Sequence, residues 1–181
     1  PATAGRLPIV DVDLRGSIDA SAHGIRPGAD DRKSKAFEKL LKEAAAKNTP
    51  VFLPPGDYTI SNITLPDNTR LTGVPGATRI VYGGGGHLFA ADGARRIELA
   101  NLVIDGEKRW LDDTVESLVH LRGVAQVVIE NCEIQGSAKT AISLERSGGR
   151  IERNRLSGAA DYALYAVESQ DLSVTGNHVF D

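Results

Sequence analysis

What this 181-residue chain lacks already excludes several classes of protein. It has a single cysteine, Cys132, so no internal disulfide can form, and a zinc site built from several cysteines is excluded by count. There is no cationic surplus: 21 Lys and Arg stand against 24 Asp and Glu, a formal charge of −3. No bulk basic field therefore attracts nucleic acid, and a short cluster such as Arg95-Arg96 reads as solvated loop charge. No apolar run approaches the length of a membrane span. Methionine is missing altogether, residue 1 is a proline, and no leader peptide precedes the repeats, so the sequence reads as a processed or trimmed product.

What is present is a unit of about twenty residues, found four times in succession at 87–106, 117–136, 140–158 and 162–181. Each copy holds two short runs of alternating apolar residues. Phe89, Val119, Ile142 and Leu164 align, as do Ala91, Leu121, Leu144 and Ala166. In the second runs Ile97/Leu99, Val127/Ile129, Ile151 and Leu172/Val174 align, followed by one further apolar residue, Ile104, Ile134, Leu156 or Val179. A period of two marks strands, and a repeat too short to bury its own apolar face must stack on its neighbours. With no hairpin signal between the strands, one coil of chain per repeat satisfies them best, each strand pairing in parallel with its equivalent in the next coil. A leucine-rich horseshoe would need a helical or leucine-dominated segment in every repeat, and the pieces between these runs are too short. Asn101-Leu102, Asn131-Cys132, Arg153-Asn154 and Gly176-Asn177 stand where a sharp corner is needed, and Asn and Gly tolerate the left-handed backbone of such a corner. Cys132 at its corner is expected to be a buried, inert thiol.

The chain is expected to form one all-β domain over 1–181, a single-stranded right-handed parallel β-helix with an N-terminal capping α-helix. A lead and edge strand occupy 1–23, where Asp11 and Asp13 share one face. They either protect the edge by charge or hold a cation. A loop and helix occupy 24–50: Ala36, Phe37, Leu40, Leu41, Ala44 and Ala45 recur at helical spacing over 33–47, opposite a Lys- and Glu-rich face. Asp30 or Asp31 is expected to cap this helix, which would cover the open first coil. An irregular first coil over 51–86 leads into the repeats at 87–181, and these are expected to continue beyond Asp181 or to be covered there by another chain, end to end or side by side.

The residues Gly28-Ala-Asp-Asp31, Ser34-Lys-Ala36-Phe37, Val51-Phe-Leu-Pro-Pro-Gly-Asp57-Tyr58 and the stretch from Leu65 to Ile80 resemble the opening of the pectate-lyase-3 type of right-handed parallel β-helix, within the pectate-lyase-like superfamily. Ile25 and Ser34 depart from that pattern. The later repeats resemble the twin-arginine-exported repeat proteins of bacteria, a likeness that implies a periplasmic or secreted location. These motifs build a cap and a first coil, so they speak to fold and not to chemistry.

Function must come from what decorates the coils. The outward column beside the inward stacks runs Ala90, His120, Ser143, Tyr165, and the next runs Asp92, Arg122, Glu145, Val167. With coils ~4.8 Å apart, His120, Arg122, Glu145 and Tyr165 share one outer patch. Aromatic, acidic and cationic groups on one elongated face suit a polysaccharide or cell-wall glycan; the alternative is an Asp92–Arg122–Glu145 charge ladder that keeps the sheet soluble. The long insertion after the first repeat carries Arg109, the sole tryptophan Trp110, and Asp112-Asp113. Trp110 is either a sugar platform or a plug against the coil.

Arg122, Glu145 and His120 are thus the catalytic candidates, Trp110, Arg109, Tyr165 and Asp92 the binding candidates, and Asp112 and Asp113 the metal candidates, with calcium as the ion. The superfamily's hydrolases carry Gly-His-Gly and Arg-x-Lys segments, of which only Gly86-His87-Leu88 resembles one, and its epimerases carry an Asp-Pro-His-Asp segment that this chain lacks. Its calcium-dependent lyases would be imitated by Asp112, Asp113 and Arg122. Three readings follow: an exported carbohydrate-binding or carbohydrate-processing protein of the bacterial envelope, a non-catalytic interaction solenoid, or a calcium-assisted polysaccharide lyase.

Overall fold

In the computed structural model, which describes residues 16–181, a short strand β1 (Ile18–Asp19) and a helix α1 (Ser34–Ala46) precede a stack of coils. The first coil is β2 (Val51–Phe52), β3 (Gly56–Ile60) and β4 (Ile63–Thr64); the second is β5 (Thr69–Thr72), β6 (Thr78–Tyr82) and β7 (Phe89–Asp92). Then come β8 (Arg96–Ala100), β9 (Val103–Asp105) and β10 (Ser117–Arg122), followed by β11 (Gln126–Glu130), β12 (Glu133–Gln135) and β13 (Thr140–Glu145). The last strands are β14 (Gly149–Glu152), β15 (Arg155–Ser157) and β16 (Leu164–Val167), and then β17 (Leu172–Thr175) and β18 (His178–Phe180). The proposed edge strand with Asp11 and Asp13 lies outside the described residues.

Every third strand pairs in parallel, which gives three sheets: a first face β1-β2-β5-β8-β11-β14-β17, a second β3-β6-β9-β12-β15-β18, and a third β4-β7-β10-β13-β16. The chain is therefore a parallel β-helix with three strands per coil. Two of them are the alternating runs of the repeat. The third is only three residues long and is centred on the single apolar residue that ends each repeat, so Ile104, Ile134, Leu156 and Val179 lie in register across β9, β12, β15 and β18. The irregular stretch 51–86 holds five strands, β2–β6, one full coil and two thirds of another.

The inward stacks form as the alternation requires. Phe89 pairs with Val119, Val119 with Ile142 and Ile142 with Leu164, and the first three of these positions are wholly buried. The left-handed corners fall at Asn101, Asn131, Arg153 and Gly176, with φ between 51° and 65°. Behind them the asparagine side chains do backbone work. Asn154 accepts the Cys132 N–H at 2.9 Å and donates to the Ile129 carbonyl at 2.9 Å, while Asn177 repeats both bonds one coil on, with the Asn154 N–H and the Ile151 carbonyl.

The helix packs on β4 and β5 and buries Phe37, Leu40, Leu41 and Ala44 in the same core as the coils. Asp30 accepts the Arg32 N–H and so caps the 3-10 turn that leads into it, whereas Asp31 joins the helix to the solenoid. The Asp31 carboxylate accepts from the Ser34 hydroxyl at 3.1 Å and the Ser61 hydroxyl at 2.6 Å, and the Ser61 N–H donates to Ser34 Oγ at 3.1 Å. The Pro-Pro-Gly turn has its own logic. Buried Tyr58 donates to the Pro54 carbonyl at 2.8 Å, and Gly56, at φ 133°, lies so close to Pro27 that a Cβ there would fall 2.5 Å from the proline Cβ.

Candidate functional site

The third face carries the outward column in the expected register: Ala90 beside His120, His120 beside Ser143, and Ser143 beside Tyr165. Its neighbours Asp92, Arg122, Glu145 and Val167 align in the same way. Next to this face run the connections that enter β10, β13 and β16, and between connections and face lies an open groove of about 440 Å³. Its walls include Lys139, Thr140 and Ser143 from the fourth coil, Asp161, Tyr162 and Tyr165 from the fifth, and Asp113 and Glu116 from the long insertion.

The insertion is a fixed structure. Leu111 and Val115 are buried, Leu111 bridges to Gly85, and the Asp112 N–H donates to the Gly85 carbonyl at 2.9 Å. Its entry is held by buried Asp105, which receives Arg79 at 2.8 Å, Gln135 at 2.7 Å and the Glu107 N–H at 2.8 Å. Burial alone would raise the Asp105 carboxyl, but these donors together hold it below the usual range. Lys139 closes the loop from the next coil: its ammonium donates to the carbonyls of Asp112 at 3.0 Å, Asp113 at 3.5 Å and Val115 at 2.6 Å, and lies 5.4 Å from the centre of the Trp110 ring.

This arrangement decides several candidates. Trp110 is no plug: it is 65% exposed, its ring beneath a lysine that also lines the groove. Tyr165 stands in the groove with Tyr162, ring centres 5.6 Å apart, and both are exposed. Arg109 is turned away from it, donating to the Gly83 carbonyl at 3.1 Å. Asp92 is exposed beside Arg122 in register.

Of the catalytic candidates, Arg122 and Glu145 come together, but as a ladder. Glu145 receives Arg122 at 3.8 Å and Arg146 at 3.1 Å. His120 is different. Its ring stacks on His87 at 5.0 Å, and its Nδ1 is buried without a hydrogen-bond partner. Burial first, and the neighbouring His87 second, push the His120 imidazole below its ordinary value, so it is neutral near pH 7. Ser143 intervenes between His120 and Tyr165, two strand spacings or about 10 Å, too far for direct proton exchange.

The residues do not fit a calcium site at Asp112 and Asp113. Among the described residues, no three His, Cys, Asp or Glu side chains converge on one point. The loop carbonyls that would complete an oxygen shell already hold the Lys139 ammonium, a cation built into the chain.

Lys139, Tyr162, Asp161 and Glu116 went unnoticed in the sequence because they lie in connections, outside the alternating runs. The signal that would have found them is stacking of the connections themselves: those of the fourth and fifth coils must run beside the insertion of the third.

A family model for the right-handed β-helix region matches residues 56–181. Three solved structures share the fold. Geobacillus virus E2 ORF18 aligns with TM-score 0.67 and 15% identity over 91% of this chain. The Azotobacter vinelandii mannuronan C-5 epimerase AlgE4 A-module gives 0.66 and 18% over 89%. A Parabacteroides merdae protein, provisionally described as a glycosyl hydrolase, gives 0.63 and 15% over 91% and is itself covered to 98%. The chain spans 40% of the length of the viral protein and 53% of the epimerase module. Among curated protein sequences, no relative matches.

Proposed function

The chain belongs to the right-handed β-helix family, and on that premise we propose that it binds a polysaccharide along the third face of its coils. The observation that carries this reading is the groove: two exposed tyrosines 5.6 Å apart, with exposed Trp110 adjoining through Lys139, on a rigid scaffold. Aromatic faces stack on the apolar faces of sugar rings, and the carboxylates and hydroxyls of Asp113, Glu116, Asp161, Thr140 and Ser143 supply hydrogen bonds to sugar hydroxyls. The solved structures support a glycan in the same sense, since one is named for mannuronan and another is described as a glycosyl hydrolase.

The proposal is one of binding, because the aromatic pair and the groove are what the geometry supplies. Glu145, the acidic catalytic candidate on this face, is paired with two arginines. A periplasmic or secreted location in the bacterial envelope is part of the proposal and is supported by the likeness to twin-arginine-exported repeat proteins. The test is retention on immobilised polysaccharides or a glycan array. Retention that falls when Tyr165→Ala or Trp110→Ala is introduced supports the reading; retention unaffected by both rejects it.

A further inference from the structure

The groove and its tyrosine pair define a site, and the charges around it give that site a sign. Resting on the glycan-binding reading above, we propose that the preferred ligand is a glycan with free amines, such as a glucosamine oligomer, and not a uronan. Three carboxylates, Asp113, Glu116 and Asp161, line the groove. All three are exposed, and among the described residues none accepts a hydrogen bond or forms an ion pair. They differ in this from Asp57, Asp67, Glu130 and Glu145, each paired with arginine.

Among the described lining residues Lys139 is the one cation, and its single charge offsets only part of the three carboxylates. Lys139 spends its donors on three loop carbonyls and turns its charge to the Trp110 ring. The insertion's other cations are directed elsewhere, Lys108 to the Gly158 carbonyl and Arg109 to the Gly83 carbonyl. A ligand entering therefore meets unpaired negative charge and two aromatic faces. An ammonium is attracted by both: by the carboxylates through charge, and by the tyrosine rings through their quadrupole. A uronan carboxylate meets repulsion from the same groups.

The test is calorimetric titration of the full chain with three oligosaccharides of equal length: a glucosamine oligomer, its fully N-acetylated form, and an oligouronate. The free-amine oligomer should bind about tenfold more tightly than the N-acetylated one, with the uronate weakest. That advantage should shrink at high salt and as the pH rises through the amine titration. Asp113→Asn with Glu116→Gln and Asp161→Asn should abolish the preference without lowering the melting temperature, whereas Glu43→Gln with Asp171→Asn, remote from the groove, should leave it intact. Equal binding of the amine and N-acetyl forms, still sensitive to Tyr165→Ala, would overturn the inference about charge and leave the glycan site standing. Tighter binding of the uronate, or an amine preference that survives the triple substitution, would also overturn it. Binding of none of the three would reject both.

Discussion

Lys139 braces the loop that carries Trp110: its ammonium sits 5.4 Å from the indole centre and donates hydrogen bonds to three carbonyls of the same loop. Lys139→Met keeps the stem and removes the charge, leaving the Val115 carbonyl without its 2.6 Å donor, while the Asp112 carbonyl keeps the Val115 N–H at 2.9 Å. The cost should be ~1–3 kcal/mol, confined to the loop. Amide exchange across residues 107–116 should rise sharply while exchange in β11 and β14 stays unchanged; uniform acceleration everywhere would show that the lysine supports the whole fold instead.

Phe37 is fully buried between the helix and the coils. Phe37→Ala should lower stability by ~3–5 kcal/mol in urea unfolding, the cost of a large cavity in a close-packed core. A loss of only a few tenths would mean that the helix does not seal the first coil.

Asn154 serves the corner and the core together. Asn154→Ala strands the Cys132 N–H and removes a side-chain donor from the Ile129 carbonyl, both in a dry interior, and should cost ~2 kcal/mol. Burial pushes the neighbouring Cys132 thiol up to about 12, so it should react with a thiol reagent only at the rate of unfolding, and faster in the Asn154 variant. Rapid modification of the native protein would refute the buried corner.

His120 makes stability depend on pH. Its folded value lies below its ordinary 6.5, because burial and the adjacent His87 disfavour the charged form more than Glu145 and Glu116 favour it. The unfolded chain therefore binds more protons in that window. Stability should be complete above the unfolded value and be lost as the pH falls below it, toward the folded value. Melting temperatures between about pH 7.5 and about pH 5 should show a fall that His120→Gln reduces; an identical profile in the variant would assign the pH dependence to other groups.

The coils and their inward stacks were legible in the sequence because alternation is local: Phe89, Val119, Ile142 and Leu164 announce their side at each step. The corners were legible for the same reason, since Asn101 and Asn131 mark a backbone angle by residue type. The third strand of each coil was not, for a strand of three residues centred on Ile104 or Ile134 has too little alternation to detect. Of the groove's lining, Tyr165 and Ser143 were legible by column and Asp113 as part of the long insertion, while Trp110, the only residue of its kind, stands beside the groove. Lys139, Tyr162 and Asp161 were hidden because their role depends on contacts across coils that connection lengths, not patterns, determine. The register that sets Arg122 beside Glu145 follows from the same alternation, and Arg146, one residue on, adds a second partner to Glu145.

The glycan groove is tested most directly by the fluorescence of the chain's single tryptophan, Trp110, which stands exposed at its edge. Titration with a binding oligosaccharide should shift or quench the emission in a saturable way, and Tyr162→Ala with Tyr165→Ala should remove the response without changing the melting temperature. An emission that does not respond to any bound oligosaccharide, or a response undiminished in the double variant, would contradict the assignment of this face as the binding site.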